Sequence, residues 1–354
     1  MTQPRRHQFD ATLPTWVHCT SRCVRKAYLC GGRDGRWDHR RGWVEDRLRL
    51  LAGCFAVEVA GYAVMSNHLH VVLRMRPDGE GSPSRWTDAE VARRWLTVYP
   101  RRFAADGTGL EPTEAEVVSA AGGDRVGVLR QRLADLGWFM KSLKEPIARR
   151  ANREDDCRGT FWEGRFHSVP LLDQAALIAA MAYVDLNPVR AKMTDRPEAS
   201  RHTSVRVRAQ ARNRHRAAQR IRARVPPAQV AARLAAAGLQ SPPAHTEDGA
   251  WVTPLAQCIV GPAEANDRLS TDDYLTLVDA TGRMIKPGKR GRIDPALAPI
   301  LARLDLSVEG WVATMCGWRM FGASSGIGRL TTRKAEAARR GVAWIRNRCV
   351  VFAA

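Results

Sequence analysis

Long apolar runs are missing from this chain of 354 residues. No stretch approaches the roughly 18 consecutive apolar residues that a membrane-spanning helix requires. The N-terminus, which opens MTQPRRHQFD, also lacks the apolar core of a secretion signal. We therefore expect a protein of the cytoplasm that has no membrane partner.

Acidic residues are few in relation to basic ones. Asp and Glu together number 36 against 56 Lys and Arg, which gives a formal net charge of +20. Codon usage in a GC-rich genome would favour Arg over Lys, but it would not explain the deficit of acids. An excess this large is typical of proteins that neutralise the phosphates of a nucleic acid.

The Cys-x-x-Cys pairs of common zinc sites are also absent, and the eight cysteines are scattered. Only Cys19, Cys23 and Cys30 lie close together, where they could form a zinc cluster with His18. Their spacing matches no common zinc knuckle, and a strand followed by a turn needs no metal there. The chain has no His-Glu-x-x-His helix either, which argues against a zinc hydrolase.

The first part of the chain predicts a mixture of strands and helices. Near-alternating residues from Trp16 to Arg25 predict a strand, and apolar residues at three- and four-residue spacings predict a helix from Arg41 to Phe55. The segment Val57–Met75 is apolar on both sides of Ser66 and Asn67, which predicts two strands joined by a bend.

The middle of the chain contains a predicted insertion at about 77–125, with one helix at 88–99. Helical periodicity returns over 128–151, where Pro146 should kink or interrupt the helix. A further helix is predicted over 173–191, with Asp173 as its N-cap.

The character of the chain changes after Met193. No acidic residue occurs between Ala199 and Thr246, and this part contains a run of arginines. Such a run is either a nucleic-acid contact or a solvated linker, and the net charge favours contact. We therefore divide the chain into a catalytic domain at 10–193, an Arg-rich segment at 194–245, and a C-terminal domain at 246–354. Helices are predicted there at 294–304 and 333–346, and DNA binding by this last domain is left open.

Two histidines on a predicted strand carry the first chemical signal. His68 and His70 are two residues apart, so that both imidazoles project from one face. Neutral imidazoles suit divalent cations, and open positions would leave room for a phosphate oxygen. A His-x-His pair is weak by itself, but apolar runs on both sides place this one on a central strand.

Tyr183 and Asn187 carry the second signal. They are four residues apart on a predicted helix, which would present a phenol and an amide oxygen on one face. A phenol attacks phosphorus poorly unless a metal polarises the phosphate. The alternative is a tyrosine packed on an apolar helix face. The chain has four other tyrosines, of which Tyr62 is predicted to be a core residue.

Three sequence blocks together resemble the REP-associated tyrosine transposases, which belong to the single-tyrosine HUH superfamily. They are GYAVMSNHLHVVL, FWEGRFHS and YVDLNPVRA, in the family's order. The resemblance covers about 16–193. It implies an α+β fold with a ferredoxin-like α/β sandwich core and, beyond it, a mainly helical basic extension. It also implies Mg²⁺ or Mn²⁺ held by His68, His70 and Asn187, with Tyr183 as the nucleophile.

The same resemblance implies a substrate and a reaction. The substrate would be single-stranded DNA that folds into palindromic hairpins, cleaved and rejoined through a 5′-phosphotyrosine intermediate. Arg165 and Arg190 are candidates for phosphate contact, and Trp162 could stack on an unpaired base or pack in the core. Asp185 stands where the family commonly has His, and the insertion is longer than usual. A homodimer is left open.

Two alternatives compete with a transposase. One is a hairpin-binding protein that is derived from a transposase and does not cut. The other is suggested by Gly322–Gly328, which matches the glycine-rich dinucleotide fingerprint of short-chain dehydrogenases. That motif needs a preceding strand and a long βαβ continuation, for which too little chain remains. We interpret it as a turn before a basic helix.

Overall fold

The computed structural model describes eight stretches of the chain. These are residues 13–32, 35–77, 81–239, 251–258, 269–284, 296–303, 306–316 and 325–347. They fall into two compact units, which we describe separately. Unit 1 lies within Met1–Val59, Val64–Leu172 and Ala335–Ile345, and unit 2 lies within Ala60–Ala63, Asp173–Lys334 and Arg346–Ala354. The domain boundaries predicted near 193 and 245 remain predictions.

Strands are few, and helices make up most of the described secondary structure. The four strands are β1 (Trp16–Arg22), β2 (Val57–Val64), β3 (His68–Met75) and β4 (His167–Leu171). The helices of the first half are α1 (His39–Cys54), α2 (Asp88–Val98), α3 (Glu114–Ala121), α4 (Val126–Arg132) and α5 (Leu136–Glu154). Those of the second half are α6 (Gln174–Asp185), α7 (Asn187–Arg190), α8 (Ser204–Arg224), α9 (Pro227–Ala236), α10 (Leu255–Cys258), α11 (Thr271–Met284), α12 (Leu297–Arg303), α13 (Val308–Cys316) and α14 (Leu330–Arg339).

The four strands form one antiparallel sheet in the order β2-β3-β1-β4. β1 is central and pairs antiparallel with both β3 and β4. The two strands from Val57 to Met75 are confirmed, with a bend at residues 65–67. The fold class is α+β, as predicted, and in the part of the chain that the structure describes no helix is long and apolar enough to cross a membrane.

The sequence predicted a kink or an interruption at Pro146, and the interruption is wrong because helix α5 passes through this residue without a break. Proline has no N–H, which leaves the carbonyl of Ser142 without its helical partner. Arg47 of α1 supplies the missing donor, with its Nε 3.0 Å from that oxygen. The helical segment is instead divided before Leu136, where Asp135 caps α5 by accepting from the Trp138 N–H at 2.7 Å.

The predicted insertion is more helical than its sequence indicated. It contains α2 and α3, and α4 follows at once, where one helix was predicted. Both α2 and α3 begin with a capping box, at Thr87 with Glu90 and at Thr113 with Glu116. Each box satisfies two backbone N–H groups that would otherwise lack a partner.

Helix α6 is buried on every side. All residues from Ala175 to Asp185 are buried, so the helix has no polar face and must be enclosed by protein. Asp173 is its N-cap, as predicted, and accepts from the Ala176 N–H at 2.8 Å. The helix ends at Asp185, earlier than predicted, and the short helix α7 follows.

Candidate functional site

The histidine pair lies on β3 beside the central strand. His68 is opposite Arg22 and His70 is opposite Thr20 in the antiparallel register. Alternation along both strands brings His18 of β1 to the same face of the sheet. The imidazole centroids of His68 and His70 are 4.8 Å apart, and those of His70 and His18 are 5.1 Å apart. Unit 1 therefore gathers three imidazoles, of which the sequence predicted two as a pair.

Asn67 determines which nitrogen of His68 carries the proton. The amide nitrogen of Asn67 donates to the carbonyl of Lys26 at 3.0 Å, so its amide oxygen faces the imidazole. That oxygen lies 2.7 Å from His68 Nδ1 and can only accept, which requires a proton on Nδ1. Neutral His68 therefore presents a lone pair on Nε2, the form that binds a metal.

His18 holds the other imidazole in a similar way. Its Nε2 lies 2.9 Å from Nδ1 of His70, and the two rings are stacked within 18° of parallel. When Nδ1 of His70 donates this hydrogen bond, Nε2 is the nitrogen with the lone pair. A metal-bound imidazole commonly gives its second N–H to such a neighbour. His18 therefore lies where it can fix the orientation of the His70 ring.

All three imidazoles are kept neutral by their surroundings. Burial lowers the pKa of His18 to about 4, and burial together with Arg22 lowers the pKa of His68 to about 4. The pKa of His70 lies well below 6.5 because of burial first, and then because of His68, His18 and Arg22. A metal ion therefore does not have to displace protons from these side chains at neutral pH.

The histidine face presents two of the ligands that a divalent cation would need. Among the described residues, no group of three or more His, Cys, Asp or Glu side chains is arranged to hold a metal ion. His68 and His70 fit a divalent cation as a two-nitrogen platform that needs oxygen ligands in addition. Cys23 and Cys30 are both buried, and a hydrogen bond to Cys30 together with burial raises the pKa of Cys23 far above its ordinary value. A neutral thiol is a poor zinc ligand.

Tyr183 lies in the last turn of α6 in unit 2, and Asn187 begins α7. The two residues were predicted on one continuous helix, whereas the structure divides it at Leu186. The side-chain N–H₂ of Asn187 donates to the Tyr183 carbonyl at 2.9 Å and so closes the end of α6. The amide oxygen is then the atom of Asn187 that is suited to bind a cation. Tyr183 is 4% exposed.

Arg190 of α7 lies over the Tyr183 ring within unit 2. Its guanidinium carbon lies 5.2 Å from the ring centroid, and one terminal nitrogen donates to the Met315 carbonyl at the end of α13. The other terminal nitrogen, Nη1, is buried and has no hydrogen-bond partner among the described residues. Burial lowers the pKa of Arg190, but the guanidinium stays charged. A buried donor without a partner is costly, which favours an anion at this position.

Asp185 bonds to three groups of unit 2 that come later in the chain. Its carboxylate accepts from Ser204 Oγ at 2.6 Å, from the Val205 N–H at 2.9 Å and from the Tyr274 hydroxyl at 2.5 Å. Burial raises its pKa to about 6, against the opposing effect of these hydrogen bonds and of Arg208. At position 185 the transposases that the chain resembles commonly have His, whereas this chain has a buried carboxylate that bonds to its own backbone and side chains.

The FWEGRF segment lies beside α5 in unit 1. Trp162 is buried, and its indole N–H donates to the Lys144 carbonyl at 2.9 Å, whereas Arg165 is exposed. Both residues line a groove of about 560 Å³ on that side of α5. Arg165 is therefore placed to meet a ligand in this groove, while the ring of Trp162 packs against protein.

Most of the arginine run lies in helix α8, where some arginines bond to other parts of unit 2 and others are exposed. Arg208 is buried, and donates to the carbonyls of Ala60 at 2.7 Å and Thr253 at 2.9 Å. Arg212 and Arg216 pair with Asp272. Four further arginines are exposed and form no ion pair within the described residues, namely Arg214, Arg220, Arg222 and Arg224. We call these four the α8 arginines.

The glycine-rich segment Gly322–Gly328 lies partly outside the described residues. Its last four residues precede α14, with Ile327 fully buried and the Gly328 carbonyl accepting from Arg333 at 3.0 Å. Helix α14 ends at Arg339, short of the predicted Arg346. The helix predicted at 294–304 corresponds to α12, although residues 294, 295 and 304 are outside the described part.

Comparison of the chain with protein-family models, with curated proteins and with solved structures gives no match. The resemblance of its three sequence blocks to tyrosine transposases therefore stays a prediction. The chemistry of the site has to be argued from the side chains themselves.

Proposed function

We propose that the chain is a metal-dependent nuclease and strand transferase that acts on single-stranded DNA. In this proposal Tyr183 is the nucleophile, and His68, His70 and Asn187 hold Mg²⁺ or Mn²⁺. Arg190 and Arg165 contact phosphates, and Trp162 supports the groove beside Arg165. The substrates are hairpins formed by palindromic single strands, as the resemblance implies.

The observation that carries the proposal is the state of the two imidazoles. Two neutral rings on one strand face, each with Nδ1 engaged by a neighbour, are what a divalent cation requires of histidine ligands. A histidine pair that served only to pack the sheet would need no such control of its tautomers. His18 and Asn67 therefore favour a metal platform.

The reaction uses the chain's own phenol. When bound, Mg²⁺ or Mn²⁺ would polarise the phosphate and orient the scissile bond. The Tyr183 oxygen forms a bond to phosphorus, the bond from phosphorus to the 3′ oxygen breaks, and the phenolic proton passes through solvent to that departing oxygen. The products are a 5′-phosphotyrosine and a free 3′-OH, and joining reverses the step. Arg190, next to the ring, would stabilise the negative charge that develops.

The order of elements in the sheet supports a ferredoxin-like core. The chain runs β1-α1-β2-β3, then through α5 to β4, and the sheet order β2-β3-β1-β4 places one strand between each pair joined by a helix. This split βαβ arrangement, used twice, is the pattern of that core. It also places the histidines on a strand next to the central one.

A covalent trapping experiment tests the proposal. A pool of DNA hairpins with randomised single-stranded flanks is incubated with protein and Mn²⁺, and adducts are resolved on a denaturing gel. We expect a label at the 3′ end of the DNA to move with the protein, and a label at the 5′ end to appear on a shorter free fragment. Chelation by EDTA and the His68→Ala variant should both remove the adduct.

The Tyr183→Phe variant is the matched control because it keeps the ring that Arg190 contacts. An adduct that persists in this variant would assign the nucleophile to another residue. Hairpins that bind wild-type protein but never form an adduct would instead support binding without cleavage. The burial of Tyr183 is the observation that favours this second function, since a packed phenol must become accessible before it can attack.

A further inference from the structure

Three aromatic rings lie in a row on the surface of unit 1. Trp95 and Tyr99 are one turn apart on α2, with ring centroids 4.7 Å apart, and Trp138 at the start of α5 lies 5.8 Å from Trp95. All three side chains are half-buried, so part of each ring is exposed to solvent. We call Trp95, Tyr99 and Trp138 the aromatic row.

Two cations border the aromatic row. The guanidinium of Arg132 lies 4.1 Å from the Trp138 ring centroid and 5.6 Å from that of Trp95, and Lys141 Nζ lies 4.6 Å from that of Trp138. Neither cation forms an ion pair with a carboxylate in the part of the chain described here.

Two arginines of the same region differ from these cations because each pairs with a carboxylate. Arg93 pairs with Glu114 at 2.9 Å, and Arg130 pairs with Asp88 at 2.5 Å. Arg93 and Arg130 therefore have carboxylate partners, whereas Arg132 and Lys141 have none among the described residues. A ligand at the row would meet positive charge and exposed ring surface together.

We propose that the aromatic row binds single-stranded nucleic acid. Bases offer flat faces that stack on indole and phenol rings, and their phosphates are attracted to Arg132 and Lys141. A duplex would hide its base faces, and an acidic peptide would use the cations without the rings. This inference rests on the proposed function for the class of substrate. It adds a nucleic-acid contact at sequence positions remote from the histidines and Tyr183.

The row continues along α5 toward the groove that contains Arg165. Lys141 borders Trp138 on one side and lines this groove on the other. Lys144, one turn further, lies 5.6 Å from the Trp162 ring centroid and also lines the groove. In this inference, a bound single strand of nucleic acid follows α5 past Lys141 and Lys144, from the aromatic row to Arg165.

Binding without cleavage provides the test. A fluorescent oligothymidine and an abasic strand with the same number of phosphates are titrated by anisotropy at low salt in EDTA. We expect Trp95→Ala and Trp138→Ala to weaken oligothymidine binding by about tenfold and abasic binding by less than about twofold. Arg132→Gln should weaken both. Trp43→Ala is the matched control, because Trp43 is also half-buried with a cation, Arg150, 3.9 Å from its ring.

Several results would overturn the inference. They are wild-type binding that is equal for the two strands, no binding of oligothymidine, tryptophan variants that behave like Trp43→Ala, and equally tight binding of polyglutamate. If circular dichroism shows that either alanine variant is unfolded, Trp138→Phe and Lys141→Gln replace it. We expect these two variants to lose less affinity for oligothymidine. Ring-dependent binding without adduct formation would reject only the proposed chemistry, and adduct formation without ring-dependent binding would reject only the aromatic row.

Discussion

Among single residues, Asn67 bears most directly on the proposed metal site. Its amide oxygen accepts from Nδ1 of His68 at 2.7 Å, and its amide nitrogen is held by the Lys26 carbonyl. Removing the amide would allow His68 to rotate and to place its proton on either nitrogen. Only one of these forms presents Nε2 to a cation.

We therefore expect Asn67→Ala to weaken Mn²⁺ binding by roughly 10-fold to 100-fold, the usual effect of removing a partner of a metal ligand. Calorimetric titration of the protein without DNA measures it. His39→Ala is the control. The His39 imidazole is not one of the three on the sheet face, and its Nε2 lies 2.6 Å from a carboxylate oxygen of Glu154. Unchanged Mn²⁺ affinity in Asn67→Ala would show that this hydrogen bond does not prepare a metal ligand.

Asp185 gives a pH dependence of stability with a definite sign. Burial raises its pKa from 3.8 to about 6, so the folded state holds a proton that the unfolded state loses between these values. Its contribution to stability is therefore complete below pH 3.8 and is lost as pH rises through about 6. The difference between the two pKa values is worth about 3 kcal/mol.

Asp185→Asn keeps a neutral acceptor and cannot ionise. Relative to wild type, its free energy of unfolding should rise by about 2 kcal/mol between pH 4 and pH 7. Urea denaturation at several pH values, without metal, measures this difference. Asp195→Asn, which changes another aspartate of unit 2, is the control. The same slope in Asp185→Asn and wild type would contradict a raised pKa at Asp185.

At the scale of elements, sequence patterns predicted those features that depend on interactions between residues close in the chain. The bend between β2 and β3, the alternation that places His68 and His70 on one face, and the Asp173 cap all depend on residues close in sequence. Pro146 shows the limit of such reasoning. Its helix continues because Arg47, 95 positions from Ser142, supplies a hydrogen bond that no local pattern reveals.

His18 illustrates a similar limit within the candidate site. In the sequence it stands beside Cys19 and is separated from His70 by 52 positions. Only the pairing of β1 with β3 brings the two rings together. Period-two alternation of His18, Thr20 and Arg22 would have assigned His18 to one face of β1, but not to the histidine face of β3.

Helix α8 should contribute salt-dependent affinity through the four α8 arginines. Each phosphate that an arginine neutralises on a single strand adds about 0.7 to the slope of log affinity against log salt concentration. Changing all four α8 arginines to Gln should therefore reduce that slope by up to about 3. Changing Arg212 and Arg216, which pair with Asp272, should reduce it less.

Anisotropy titrations of oligothymidine over a range of salt concentrations measure both slopes. Circular dichroism shows whether the substituted helix still forms, as is expected because these four positions are exposed. Equal slopes for wild type and the fourfold variant would identify the exposed arginines as a solvated surface.

At the scale of the whole molecule, the region beyond Met193 is part of the support of the Tyr183 helix. The resemblance to transposases ends near Met193 and suggested a catalytic domain complete by that point. Within unit 2, however, Asp173 at the start of α6 also accepts from the Arg329 N–H at 2.7 Å and from the Thr332 hydroxyl at 3.0 Å. Met315 accepts from Arg190 just after the end of α6.

The same region encloses the middle and end of the helix. Ser204, Val205 and Tyr274 bind Asp185. Gly282 of α11 lies close to Leu186 at the end of α6, where an added Cβ would be 3.1 Å from the leucine side chain. These contacts come from residues 204 to 332, which the sequence alone separated into a linker and a domain of unknown role.

A chain that ends at Met193 should therefore fail to fold around α6. Truncation exposes a helix that is apolar on every side and removes three partners of Asp185, each worth about 1.5–3 kcal/mol as a hydrogen bond to a charged group. Amide hydrogen exchange should show that residues 174–185 lose protection, and the truncated chain should form no covalent adduct. A chain that ends at Asn347 keeps every one of these partners and serves as the control. Full protection of α6 in the shorter chain would mean that the catalytic segment is complete by Met193, as its resemblance to transposases suggested.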